Sequence, residues 1–453
     1  MITVNKKKIL FVAMQNSTHT IRWINQISRS DYEIHVFPTM HAAIHPDLRD
    51  VVIHLPWLRM GNVTISDWII WLRDWMAVKI KNKLGMKASG TLADPLYWRR
   101  RDASITIKNP LPSSFLINLF GIPIKSSQKV ANIKVSPPEE LNSYVLSRVI
   151  RKIAPDLIHS LEFQNCGYIV LGAREIIGRH LFPTWLVTNW GSDIVYFQQF
   201  SDERQTLRRL LEAADYYSCE CFRDVSLAMR LGFNGVTLPV IPNAGGIDLQ
   251  LASELRNKNK PSDRRIILIK GYQNLFGRAL VGLESIKKCE NELRGYQVVV
   301  YSASPETCEY VEELKKTTKI NFTISGQKCH LEMLHLFSKA RIYIGVSLSD
   351  GISTSMLEAM AMGAFPIQTN TSCCEEWISD GITGFSIPPD NVELIADRIR
   401  QAITDDTLIS RAYEMNWNTI SLRLDKDVIK SKAAGYYKTI FDTQEKNRVR
   451  PSQ

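Results

Sequence analysis

Residues 342–388 read IYIGVSLSDGISTSMLEAMAMGAFPIQTNTSCCEEWISDGITGFSIP. The apolar run Ile342 to Val346 predicts a strand buried on both faces, since such strands are continuously apolar. A polar turn, Ser347 to Ser353, comes next. Ser355 to Met362 carries good helix formers and stops at Gly363. Ser353, Thr354 and Ser355 are all suitable N-caps, and Gly363 suits the left-handed residue that ends a helix. Ala364 to Gln368 is a second buried strand. Strand, turn, helix and strand in this order form the repeating unit of a doubly wound α/β domain.

The unit holds a pair of carboxylates. Asp350 lies in the turn at the carboxyl end of the first strand, and Glu358 lies two turns into the helix. Helical side chains tilt towards the N-terminus, so Glu358 leans back towards the turn. Between them stand the unpaired N–H groups of a helix start, which attract phosphate. A carboxylate, an anion site and a second carboxylate match sugar hydroxyls, a diphosphate and a ribose diol. An acid in a turn with a glutamate on a helix also occurs without function, so the pair needs support from the rest of the chain.

The chain has 453 residues, 45% of them hydrophobic and 23% charged, which is ordinary globular composition. The length suits two or three domains. No run reaches the roughly 20 apolar residues of a membrane-spanning helix. Ile9 to Met14 is too short for a signal-peptide core, and a cytoplasmic location is expected. The eight cysteines are scattered without C-x-x-C pairs, so buried reduced thiols are expected and no metal site is. The formal net charge of +10 favours anionic partners. No nucleic-acid motif accompanies it, which leaves phosphorylated substrates or an acidic membrane surface.

Read in order, Lys6 to Ala13 predicts a first parallel strand, Met14 to His19 a turn, and Thr20 to Ile27 a helix. The glycine-rich phosphate turn of a dinucleotide fold is absent there. Tyr32 to Phe37 and Val51 to Leu55 predict further strands. The rhythm then breaks over about 56–145, where Trp57, Trp68, Trp71, Trp75 and Trp98 stand among lysines and arginines. Asp67 to Leu84 has the pattern of a basic amphipathic helix, suited to an anionic membrane interface or to packing tryptophan in a core. Phe115 to Ile124 is a second apolar piece. Pro155 to His159 predicts a strand ending in a histidine. Thr184 to Thr188 predicts another, ending at Asn189-Trp190-Gly191-Ser192-Asp193. Pro242 to Gly246 is a turn closing a first α/β domain at 1–245. Polar residues from Asp248 to Asp263 read as an interdomain connection. Arg265 to Lys270 opens a second α/β series over 246–425. A last helix is expected within 426–443 and a disordered tail over 444–453.

Two α/β domains with the opening stretch in the second resemble the GT-B glycosyltransferases, and more closely glycosyltransferase family 4. The resemblance is carried by Asp350 and Glu358, which match an acidic-x7-Glu motif with Asp at the first place. Gly351, Leu357 to Met360, Gly363, Pro366, Asp380-Gly381, Thr383-Gly384 and Pro242-Asn243 also match. It covers residues 150 to 440 well. It implies two Rossmann-like domains facing across a cleft, a nucleotide-sugar donor domain at 246–425, an acceptor domain at 1–245, and a C-terminal helix crossing back to the first domain.

By that resemblance Lys270, beside Gly271, and Arg278 meet the donor diphosphate. Asp350, Gly351, Ser353 and Thr354 hold donor sugar and phosphates, and Glu358 accepts both ribose hydroxyls. His159 stands near the reacting centre, and His19, Asn189, Gly191 and Asp193 lie on the acceptor side. The implied reaction is retaining, metal-independent hexosyl transfer to a hydroxyl of a glycan or lipid-linked acceptor. The basic charge and the aromatic stretch point beside it to bacterial surface polysaccharide synthesis, with peripheral membrane attachment through residues 67–84. No cofactor is expected. The alternatives on the same fold are a nucleotide-sugar 2-epimerase, a phosphorylase and a non-catalytic nucleotide-sugar-binding protein.

Overall fold

A computed structural model describes residues 6–27, 29–40, 42–55, 59–60, 63–64, 106–108, 138–256 and 260–449. The amphipathic segment Asp67 to Leu84 and the apolar piece Phe115 to Ile124 lie outside them. The chain forms two compact units. One holds Met1–Asn189, Ser201–Ser218 and Leu231–Leu238, and the other holds Trp190–Phe200, Cys219–Arg230 and Pro239–Gln453. The division therefore passes several times between residues 189 and 239, where a single boundary near 245 was expected.

The first unit is built from β1 (Lys7–Ala13), α1 (Thr18–Asn25), β2 (Tyr32–Pro38), β3 (Val52–His54), the short pair β4 (Arg59–Met60) and β5 (Val63–Thr64), and β6 (Thr106–Lys108). It continues with α2 (Pro138–Ile153), β7 (Leu157–Leu161), α3 (Tyr168–Ile177), β8 (Thr184–Thr188), α4 (Ser201–Ala213) and β9 (Tyr216–Ser218). The helix α5 (Phe222–Arg230) folds with the second unit, and β10 (Val236–Thr237) returns to the first. Among the described residues the sheet runs β10-β9-β8-β7-β1-β2-β3-β6, and its pairs are parallel. Ile9 to Ala13 have no exposed surface, as a central parallel strand covered on both faces requires.

The second unit holds α6 (Leu249–Arg256), β11 (Ile266–Lys270), α7 (Ala279–Lys287), β12 (Gln297–Tyr301), α8 (Pro305–Thr317), β13 (Asn321–Ser325), α9 (His330–Lys339) and β14 (Ala340–Gly345). Then come α10 (Thr354–Ala361), β15 (Phe365–Thr369), β16 (Phe385–Ile387), α11 (Val392–Thr404), α12 (Asp406–Arg423) and α13 (Lys426–Val449). The parallel sheet runs β13-β12-β11-β14-β15-β16. Counted within the unit this is the doubly wound Rossmann order, whose direction of winding reverses between β11 and β14; ligands bind at such a reversal, outside the carboxyl ends of the strands. Side chains alternate across the sheet. Ile267, Ile269, Val298, Val300, Ile342 and Ile344 pack in one core, and Leu268, Val299, Tyr301 and Tyr343 pack in the other.

Several local expectations are corrected. The stretch from Asp248 to Asp263 is not an open connection, because α6 occupies its first half and is anchored by Arg256. That guanidinium lies 3.7 Å from the Tyr413 ring centroid and 4.5 Å from that of Trp417, so a residue that looks solvated in the sequence is buried by aromatic stacking. The last helix continues to Val449, so residues 444–449 of the expected disordered tail are helical. It holds to its own unit through Tyr436, whose hydroxyl donates to the Pro239 carbonyl. Among the described residues no helix is long and apolar enough to cross a membrane.

Candidate functional site

The strands β11 and β14 are hydrogen-bonded neighbours, and Ile269 pairs with Ile344. Their carboxyl ends carry the loops that gather the candidate donor residues. Three backbone links fasten these loops together: Arg278 N donates to Val346 O at 3.0 Å, Leu348 N donates to Phe276 O at 2.8 Å, and Gly277 bridges Ser347. The turn needs its glycines, since a Cβ on Gly277 would stand 2.3 Å from Tyr272 O and one on Gly271 would stand 2.7 Å from Ala303 Cα.

Lys270 ends β11 with its ammonium 4.7 Å from the Tyr272 ring centroid. It is also close enough to the buried Tyr343 phenol to lower its pKa, although burial raises that group overall. Tyr343 Oη lies 3.4 Å from Ser353 Oγ, which places the strand-end cation near the helix start. Ser353 is the N-cap of α10, and its side chain accepts from Met356 N at 3.3 Å. Thr354 is the first residue of that helix. Asp350 Oδ1 accepts from Gly351 N at 2.9 Å, shaping the turn just before it. Glu358 is buried on α10, and its Oε1 lies 2.7 Å from Nε2 of His330, an imidazole half exposed at the start of α9. Arg278 opens α7, but its guanidinium folds back, Nη1 donating to Asn274 O at 2.8 Å and to Gly277 O at 3.0 Å.

The second unit thus brings Lys270, Gly271, Arg278, Asp350, Gly351, Ser353, Thr354 and Glu358 to one end of one sheet, around a helix start and a strand-end ammonium. Residues 254–418, which contain all of them, match the family Glycosyl transferases group 1, and residues 107–220 match Glycosyl transferase 4-like. Residues 254–418 thus form a group 1 glycosyltransferase domain, and the chain has the GT-B fold. Three solved structures show how far the fold extends. HepE of Anabaena in complex with UDP and glucose is 14% identical, with a TM-score of 0.59, covering 96% of this chain and 100% of that one. A sucrose-phosphate synthase from Thermosynechococcus elongatus is 14% identical, with a TM-score of 0.63, covering 97% and 100%. An α,α-trehalose 6-phosphate synthase from Burkholderia multivorans is 10% identical, with a TM-score of 0.62, covering 99% and 100%. No curated protein matches the chain in sequence.

In this glycosyltransferase the residues expected from the first domain are placed differently. His159 is not at a strand end: β7 continues to Leu161, and the imidazole has no exposed surface. Its Nε2 lies 2.7 Å from Thr188 Oγ1, and its ring packs on Phe11 and Trp23. Burial lowers its pKa to about 3, so it is a neutral core histidine out of reach of an acceptor proton. The residue at the strand's carboxyl end is Glu162, which sequence reasoning passed over. It holds a φ of 83°, a conformation costly for a residue with a side chain. Its carboxylate accepts from Gln164 N at 2.9 Å and Asn165 N at 2.6 Å, and burial nevertheless raises its pKa to about 7.

His19 lies in the first turn of α1, which begins two residues earlier than expected, rather than in the turn before it. Asn189 is buried in the first unit, where Tyr217 Oη donates to its side-chain oxygen. Gly191 and Asp193 fold with the second unit. Gly191, at a φ of 25°, lies so close to the Asp350 loop that a Cβ there would be 2.9 Å from Asp350 Oδ1. Asp193 Oδ2 accepts from Trp190 N at 2.7 Å, closing the turn that carries Gly191.

The structure also adds residues around the Asp350 loop that no spacing reveals. Arg223 donates from Nη2 to Asp350 O and from Nη1 to Thr371 O, both at 2.9 Å, and from Nε to Asp224 Oδ1 at 2.8 Å. Burial works against its charge, yet Asp224 holds the guanidinium above its ordinary range. Glu376 Oε1 accepts from Phe222 N at 2.8 Å, capping α5 from a loop distant in sequence. Cys221, Cys373 and Glu376 each offer an atom within 4.8 Å of the others and form the one group among the described residues that could hold a metal. The hydrogen bond it shares with Cys373, and then burial, hold Cys221 far above the ordinary thiol range, so it stands here as a protonated thiol.

Proposed function

We propose that the chain moves a hexosyl group from a nucleotide-sugar to a hydroxyl of a glycan or lipid-linked acceptor, with retention and without a metal. One observation carries the reading: Lys270, the 271–278 loop, Asp350 and the start of α10 meet at the winding reversal between β11 and β14. The bond from the anomeric carbon to the β-phosphate oxygen breaks, and negative charge develops on the nucleoside diphosphate. The Lys270 ammonium and the free N–H groups of α10 oppose that charge. Arg278 joins them once its guanidinium leaves the Asn274 and Gly277 carbonyls. Asp350 and Gly351 hold the donor sugar, and Glu358 accepts the ribose hydroxyls, exchanging its bond to His330 for them. Front-face attack places the acceptor hydroxyl beside the departing phosphate, which takes its proton as the new C–O bond forms. HepE, seen with UDP and glucose on the same fold, supports a donor of this class. The net charge of +10 and the basic tryptophan-rich stretch from Asp67 to Leu84 support an acceptor at an anionic membrane surface and a role in bacterial surface polysaccharide synthesis.

The test uses Glu358→Ala and a panel of UDP-, GDP- and ADP-sugars. Nucleotide binding and transfer are expected to be lost, with kcat/KM down by about 100-fold or more; wild-type activity in this variant would sink the assignment. Release of nucleoside diphosphate only when acceptor is supplied separates transfer from 2-epimerisation.

A further inference from the structure

We propose that Glu220 is the positioning residue of this donor site: its carboxyl group holds the loop from Asp350 to Ser353 in the shape that presents Asp350 and the start of α10. The inference deepens the donor-site reading and rests on it for what the loop does. Glu220 stands just before α5, far from the loop in sequence. Its Oε1 accepts from Asn243 N at 2.9 Å, and the backbone N–H of Ile352 is near enough to the same carboxyl group to favour its charged form. One side chain therefore stands between the Pro242–Asn243 turn and the loop, bonded to the first and packed against the second. A Cβ on Gly351 would come 2.8 Å from Glu220 Oε2 and 3.2 Å from Gly191 N. Only a residue without a side chain lets the loop lie between the carboxyl group and the 190–193 turn, and both contacts are lost if the loop moves outward.

The charged groups acting on Glu220 are Asp350 and Asp224, and both are bonded in turn to Arg223, through Asp350 O and Asp224 Oδ1. Burial first, then Asp350 and Asp224, push the Glu220 carboxyl up to about 8 against the two amides that lower it. It therefore carries a proton at neutral pH and supports the loop without adding an anion behind the place where phosphates would bind. Above that pH it ionises and opposes them.

The experiment measures binding of UDP, GDP and ADP by calorimetry to the full chain and to its Glu220→Gln and Glu220→Ala variants, from about pH 6 to about pH 9. Glutamine keeps an acceptor oxygen and cannot ionise. The Ala variant is expected to bind about tenfold more weakly, and the Gln variant within about threefold of wild type near pH 7. Wild-type affinity should fall by about threefold or more between about pH 7 and 9, and that of Glu220→Gln should stay level. Wild-type binding by Glu220→Ala, or an equal fall with pH in Glu220→Gln, overturns the inference. If wild type binds none of the probes, the donor-site reading fails and Glu220 is judged by amide hydrogen exchange alone. Faster exchange at Ile352 and Ser353 in the Ala variant than in the Gln variant supports it, and equal rates overturn it.

Discussion

His159 shows at the scale of one residue why a sequence motif can misplace chemistry. A histidine near the end of an apolar run suggests a ligand-facing group, yet the strand extends far enough to enclose it. The cost of burying an imidazolium then sets its charge state. In the unfolded chain His159 binds a proton below about pH 6.5, and in the folded chain only below about 3. Between those values the unfolded state holds more protons, so stability falls as pH falls through that window. Replacing it with phenylalanine, which fills similar volume without titrating, should raise the urea midpoint relative to that of wild type as pH goes from about 7 to about 4, whatever the offset at pH 7. A relative midpoint that stays constant or falls over that range would mean the imidazole is not held neutral. Glu162 carried no signal in the sequence, because a glutamate after a strand is ordinary and its backbone angle cannot be read from the letter.

The strand–turn–helix–strand of residues 340–369 was legible because every device that shapes it is local. Ser353 caps the helix at its first turn, and Gly363, at a φ of 81°, ends it. A Cβ at Gly363 would also stand 2.3 Å from Tyr413 Cε2 on α12, a contact the sequence does not disclose. Gly363→Ala therefore combines left-handed strain with overpacking, and is expected to cost about 2–4 kcal/mol, measured by urea denaturation. An unchanged midpoint would show that α12 yields freely. Element ends were the weaker part of the sequence reading. α1 starts earlier, β7 ends later, and α13 runs on to Val449, because apolar periodicity marks the middle of an element and long-range packing decides where it stops.

For the whole molecule, the expected cut near residue 245 separates segments that fold as one. Residues 190–200 and 219–230 belong to the second unit. A fragment of residues 246–453 would lack Glu220, Asn243, Arg223 and the α5 cap on Glu376, leaving the Asp350 loop without its outer supports. It is expected to melt at a lower temperature than the full chain and to give no thermal shift with nucleoside diphosphates that shift the full chain; equal shifts would show that those supports are dispensable. The α/β class, the repeated parallel units and the acidic motif from Asp350 to Glu358 were set by the amino-acid sequence alone, since apolar period, caps and glycines act over a few residues. The strand order with its reversal between β11 and β14, the burial of His159, the fold-back of Arg278 and the gathering of Glu220 and Arg223 around Asp350 came only with tertiary packing. The bond from Arg223 to Asp350 joins residues more than a hundred apart, and contacts of that kind are selected by which partners remain once water is excluded, a choice no local pattern encodes.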